Sequence, residues 1–90
     1  MAEIKISKLK EEELKNMGVF SWPVWEKEAS NFPWHYDSKE SCYILEGEVE
    51  VTPHNGSPVK FSAGDYVEFP QGMDCTWKIN KAVRKHYKFG

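Results

Sequence analysis

The sequence predicts one small all-β domain with a short helical segment at its start. Three observations carry this. Apolar and polar residues alternate over short runs, most cleanly from Glu48 to Thr52. Gly, Pro, Asn and Asp break those runs at intervals of about eight to twelve residues, the rhythm of a sandwich or barrel. The 90 residues include four Trp, four Tyr and five Phe. A chain this short buries only about 60% of its unfolded surface, and large aromatics make that burial efficient.

The elements follow in order. Ile4 and Ile6 alternate in an edge strand over Glu3 to Ser7. From Ser7 to Gly18, Leu9, Leu14 and Met17 form an apolar stripe for one or two helical turns, and Gly18 stops them. The charged run Lys8 to Lys15 is a solvated face. Val19 to Glu28 reads as a strand with Trp22 and Trp25 on opposite faces; Pro23, which cannot donate to a ladder, favours its start or an edge. Ala29 to Pro33 reads as a turn. A strand begins at Trp34 to Tyr36, bends at Asp37 to Lys39 and continues through Glu40 to Leu45. Glu46 and Gly47 read as a turn before the strand Glu48 to Thr52. Pro53 to Pro58 is a hairpin loop carrying Asn55-Gly56, a strong turn pair. Val59 and Phe61 alternate, Ser62 to Asp65 turns, and Val67 and Phe69 face inward before the turn Pro70 to Gly72. Cys75, Trp77 and Ile79 share one face; Lys81-Ala82 is a short turn; Val83 to Phe89 is the last strand. Residues 1–19 are thus an N-terminal strand and helix, and 20–89 a barrel, in one domain spanning 1–90.

Bulk properties exclude several classes of function. The net charge of −2 gives no electrostatic case for nucleic acid or an anionic membrane as partner. No apolar run approaches the roughly 18 residues of a membrane span. Met1 to Glu13 alternates Lys and Glu without an apolar core, unlike a secretory signal. Cys42 and Cys75 are far apart in sequence and form neither a disulfide framework nor a Cys-x-x-Cys knuckle. They read as free thiols in a reducing, cytoplasmic compartment.

Two spaced motifs resemble those of the cupins, small jelly-roll barrels built on a double-stranded β-helix. In the first cupin motif a His-x-His pair precedes a Glu, an apolar run and a Gly. Glu40 holds the Glu position, and Tyr43-Ile-Leu-Glu-Gly47 is the run into the turn. The second motif is Gly, five residues, Pro-x-Gly, two residues, His. Gly64, Pro70 and Gly72 fall at that spacing, and Cys75 stands in place of the His. The stretches Trp22-Pro-x-Trp-Glu-Lys-Glu and Val83-Arg-Lys-His-Tyr87 are similar to the cupin domains of ethanolamine-utilisation proteins and ureidoglycine aminohydrolases.

The resemblance implies a site inside the barrel, and the departures from the motif define its chemistry. Trp34 and Tyr36 occupy the two His positions, while alternation sends His35 to the opposite face. Of the four usual ligand positions only Glu40 is retained. Glu40 and Cys75 are two good donors where zinc normally takes at least three, so no metal and no cofactor is expected. On the last strand Val83, Lys85, Tyr87 and Phe89 share a face; if that face is inward, Lys85 is a buried cation that Glu40 can pair. Trp34, Tyr36, Glu40, Cys75, Trp77 and Lys85 are therefore the candidate ligand-binding residues. Each has a plain alternative: a self-satisfied pair for Glu40 and Lys85, an inert core thiol for Cys75, core packing for the two Trp. His54 reads as solvated loop and His86 as exterior.

Three functions are consistent with this site. The first is metal-free binding of a small polar molecule. The second is an enzyme acting on a small nitrogenous or sugar-like substrate with Glu40 as acid or base, helped by Cys75, a candidate nucleophile activated by Lys85, or by a weakly held metal. The third is a structural or interaction module with a filled barrel. The expected partner is a small-molecule ligand, and an exposed Trp among Trp22 and Trp25 would suit a homodimer.

Overall fold

Two long strands, crossing the whole molecule side by side, pair with every other strand but the first. The computed structural model describes residues 3–90; Met1 and Ala2, counted above in the domain, lie outside the described residues. The elements are β1 (Lys5–Ser7), α1 (Glu11–Asn16), β2 (Val24–Lys27), β3 (Ser30–His35), β4 (Glu40–Pro53), β5 (Val59–Ser62), β6 (Tyr66–Phe69) and β7 (Asp74–Phe89), with a single 3₁₀ turn at Val19–Ser21 before β2.

β4 and β7 run antiparallel and change partners halfway. The first half of β4 pairs with β6 and with the second half of β7, which also carries β2. The second half of β4 pairs with β5 and with the first half of β7, which also carries β3. β1 adds to the outer edge of β6. The two halves enclose one core, in which Cys42, Ile44, Val67, Phe69 and Val83 meet Val49, Val51, Phe61, Trp77 and Ile79. The ladder does not close. Among the described residues β1, β2, β3 and β5 each pair on one side only, so the fold is mostly β and consistent with the expected jelly roll, without a closed ladder.

Two predicted turns are bends inside continuous strands. β4 passes through Glu46-Gly47 and β7 through Lys81-Ala82 without interruption. Register shifts between Ile44 and Val49 mark the place where β4 kinks. Gly47 sits there at φ +108°, and a Cβ on it would lie 2.5 Å from the Ala82 carbonyl oxygen and 2.8 Å from the Val83 Cα. Only glycine allows both that dihedral and that approach. A third reading is corrected as well: Ala29 to Pro33 is largely strand, since β3 begins at Ser30. Pro33 is tolerated because β3 is an edge strand.

The N-terminal segment covers the outside of the sheet. Leu14 and Val19 are buried with Tyr66, and Leu9, Trp22 and Tyr43 pack against them. Met17, placed on the apolar stripe by its spacing, is exposed instead. Gly18 ends the segment in the left-handed region at φ +76°, as its position predicts. Trp22 and Trp25 do face opposite ways: Trp22 joins this outer cluster and Trp25 packs on the inner core. Both are half-buried against their own chain, and Trp22 is the one outside the inner core.

Candidate ligand-binding site

The strand registers bring a polar pair into an aromatic hollow. Across β2 and β7, Trp25 stands opposite Lys85. Across β3 and β7, Phe32 stands opposite Trp77 and Trp34 opposite Cys75. Across β4 and β7, Glu40 faces Phe89 and Ile44 faces Lys85. Directly opposed residues in an antiparallel pair point to the same side, so these all turn toward the interior.

Glu40 and Lys85 are offset by four positions along the β4–β7 ladder, and their side chains lean along the strands to meet. The Lys85 ammonium donates to Glu40 Oε2 at 2.6 Å, with both side chains almost wholly buried (6% and 4% exposed). Nζ also lies 4.9 Å from the ring centre of Trp25 and 4.7 Å from that of Trp77. A cation held over aromatic faces is attracted by their quadrupoles, which offsets part of its lost hydration. Glu40 and Lys85 thus satisfy each other, as inward parity on the two strands predicts.

Around the pair lies a hollow of about 150 Å³ lined by Trp25, Phe32, Trp34, Tyr36, Glu40, Trp77, Lys85, Tyr87 and Phe89. Trp34 and Phe89, nearly half exposed, form its rim. Trp77 is its floor: it stacks on Phe32 with ring centres 6.0 Å apart and meets Trp25 edge to face. Tyr36 is buried and stacks on Phe69 at 4.8 Å. Its hydroxyl accepts a hydrogen bond from Trp77 Nε1 at 3.1 Å. Burial, then the negative charge of Glu40, push the Tyr36 hydroxyl far above its ordinary range, so it keeps its proton and can donate it.

Five of the six predicted site residues therefore converge, and Cys75 does not line this hollow. Its thiol turns to the Trp34 carbonyl oxygen at 3.6 Å, and it borders a separate surface depression beside Pro33 and His54. Burial, followed by the negative charges of Asp74 and Glu40, pushes the Cys75 thiol up to about 11. A nucleophilic thiolate needs the opposite shift. Cys42 lies between Glu40 and Ile44 on the inner face; burial outweighs the nearby Lys85 charge and raises it to about 12. His35 is half-exposed on the outer face, with Nδ1 2.7 Å from Asp74 Oδ1. His54 is exposed, and His86 is bonded through Nδ1 to the Trp22 carbonyl oxygen at 2.9 Å, under the N-terminal cover.

Four lining residues are absent from the predicted set: Trp25, Phe32, Tyr87 and Phe89. Tyr87 and Phe89 share the inward parity of Lys85, which was signal enough. Phe32 shares the parity of Trp34 and Tyr36, a pattern hidden by treating Pro33 as the end of a turn. For Trp25 the sequence left the choice of inner face open.

The residues at the cupin ligand positions do not fit a metal ion. Trp34 offers no donor, the Tyr36 hydroxyl keeps its proton, Cys75 turns away, and Glu40 is engaged by the Lys85 ammonium. A cation already stands beside the one carboxylate. Among the described residues no three His, Cys, Asp or Glu side chains cluster as metal ligands.

A jelly roll with two spaced motifs and a polar centre walled by aromatics is a cupin. The family profile of the EutQ-like cupin domain matches residues 14–87, and the chain belongs to that family. A crystal structure of a DUF861 family protein from Thermotoga maritima is 51% identical, covers 98% of this chain and 100% of its own, and superposes with a TM-score of 0.96. A putative ethanolamine utilization protein Q from Salmonella typhimurium is 23% identical over 96% of this chain and 68% of its own, TM-score 0.66. The Cnp3 cupin domain of Schizosaccharomyces pombe is 23% identical over 97% of this chain and 64% of its own, TM-score 0.60. The last two share the fold. No curated protein sequence matches the chain. No helix of the described residues is long and apolar enough to cross a membrane.

Proposed function

We propose that this protein binds a small polar molecule, without a metal, in the hollow above the Glu40–Lys85 pair. The observation that carries the reading is a buried ion pair at the base of an open aromatic cleft. Burying two charges sacrifices their hydration, and well-packed apolar residues in their place are often as stable or more so. A core needing only to be filled would not require the pair, and a filled core would not leave the cleft. The cleft also counts against a purely structural role for the interior. The two buried free thiols fit a reducing, cytoplasmic setting.

The chemistry of the lining narrows the ligand. A space of about 150 Å³ holds roughly five water-sized groups. Glu40 Oε1 can accept a hydrogen bond, while the Tyr36 hydroxyl and the remaining Lys85 protons can donate to an oxygen. The indole faces favour a planar or partly apolar body.

A thermal-shift screen with small carboxylates, amines, sugars and carbonyl compounds tests this. A ligand present at about 100 times its Kd stabilises by roughly 2.7 kcal/mol, a rise on the order of 10 °C for a domain of this size. The rise is expected to vanish in Trp34→Ala, whose side chain stands at the rim. If no compound raises the melting temperature of the wild type, the binding role is wrong.

A further inference from the structure

We infer that Lys85 is a covalent ligand-binding residue: its Nζ, paired with Glu40 at the base of the aromatic hollow, forms an imine with a small aldehyde. The inference rests on the binding reading above and names both the ligand class and the reacting atom. Three observations combine. Lys85 is an amine that lines the hollow while remaining almost wholly shielded from bulk water. A carboxylate oxygen lies 2.6 Å from its nitrogen. Two indole faces stand beside the same nitrogen, at 4.9 and 4.7 Å.

The geometry supplies each part of the reaction. Moving one proton from Nζ to Glu40 Oε2 turns a buried ion pair into a neutral amine and a neutral acid. No new buried charge is made, so a low-dielectric surrounding does not oppose the step. The free electron pair on Nζ attacks the aldehyde carbon as Glu40 returns the proton to the carbonyl oxygen. A second proton passes from nitrogen to Glu40 and then to the hydroxyl group, which leaves as water as the C=N bond forms. Overall, an ammonium and an aldehyde give a protonated imine and one water, and no oxidant or reductant takes part. The positive charge begins and ends on the same nitrogen. The iminium product therefore keeps both its ion pair with Glu40 and its position beside the Trp25 and Trp77 faces. The Tyr36 hydroxyl, which keeps its proton, lines the same hollow and can donate to an oxygen on the ligand.

The other lysines provide an internal control. Lys60 and Lys78 are exposed, and neither joins a carboxylate in an aromatic recess.

The test is to incubate the full chain at neutral pH with glycolaldehyde or propionaldehyde at low excess. Cyanoborohydride then reduces any imine to a stable secondary amine, and peptide mass spectrometry locates it. Modification of Lys85 at least ten times faster than of Lys60 and Lys78 is expected. Lys85→Arg, which keeps the charge and can still pair with Glu40, is expected to lose the fast site while the exposed lysines react as before. Labelling of Lys85 no faster than of Lys60 overturns the inference, and this comparison needs only the wild type. If the thermal-shift screen finds ligands while Lys85 is not preferentially trapped, the imine is wrong and reversible binding stands. If both fail, the hollow is not a binding site.

Discussion

Glu40 and Lys85 are individually ordinary surface residue types, and each is tolerable inside this protein only because of the other. Removing one leaves a buried charge without its partner. Lys85→Met is expected to lower unfolding free energy by about 3–5 kcal/mol, and Glu40→Leu by a similar amount. The double variant is expected to recover most of the loss, since two apolar side chains then share the space. Urea titration of the four proteins measures the coupling directly. Additive losses would mean that the two groups do not interact in solution as the 2.6 Å contact requires.

The two thiols act on stability through pH. Cys42 is raised from 9.0 to about 12 and Cys75 from 9.0 to about 11, each chiefly by burial. Below pH 9 both are protonated whether the chain is folded or not, and their contribution is fully present. Between about 9 and 11 the unfolded chain loses these protons while the folded chain holds them, so stability falls as pH rises. Urea midpoints at pH 7, 9 and 10.5 are expected to drop over the last interval. The drop should be smaller in Cys42→Ala, measured against that variant's own midpoint at pH 7.

At the scale of the element, the kink in β4 governs where everything else goes. It lets β4 and β7 serve both halves of the sheet and bring Trp25 and Lys85 from one half together with Phe32 and Trp77 from the other. Gly47→Ala would need both an unfavourable dihedral and displacement of the Ala82–Val83 backbone. A loss of at least about 3 kcal/mol, or failure to fold, is expected. Gly64→Ala separates the two causes. Gly64 also has a positive φ, +94°, but nothing lies within 4 Å of its would-be Cβ. It is expected to lose only about 1–2 kcal/mol. Equal losses in chemical denaturation would show that crowding at Gly47 contributes nothing.

At the scale of the molecule, stability and ligand binding occupy opposite sides of one sheet. Leu14 and Val19 seal the outer face with Tyr66, away from the hollow. Leu14→Ala is expected to destabilise by about 2–5 kcal/mol through lost burial and the cavity left behind. Ligand affinity, measured well below the melting temperature, should be unchanged. A parallel loss of affinity would mean that the N-terminal cover and the hollow are coupled.

Much of this protein is legible in its residues alone, for reasons that are local. The period-two alternation of Val49 and Val51, or of Cys75, Trp77 and Ile79, assigns a face to each side chain without knowledge of the partner strand. The same parity put Glu40 and Lys85 inside, and burial of two opposite charges then implied their pairing. The cupin likeness followed from motif spacing, which survives even where the ligating side chains have changed, and its ethanolamine-utilisation kind from the stretches Trp22 to Glu28 and Val83 to Tyr87. What sequence could not decide is set by contacts distant in the chain. Gly47 looks like a turn because a positive φ serves turns and bulges alike; only the Ala82–Val83 backbone pressed against it makes it a bend. Cys75 has the right position for a site, but the direction of its thiol depends on the register of β3 against β7. Trp25 could have faced either way until β2 paired with the second half of β7. Parity is a property of one strand, so the sequence determined it; a pocket is a property of several strands in register, and only the tertiary structure decided which side chains share it.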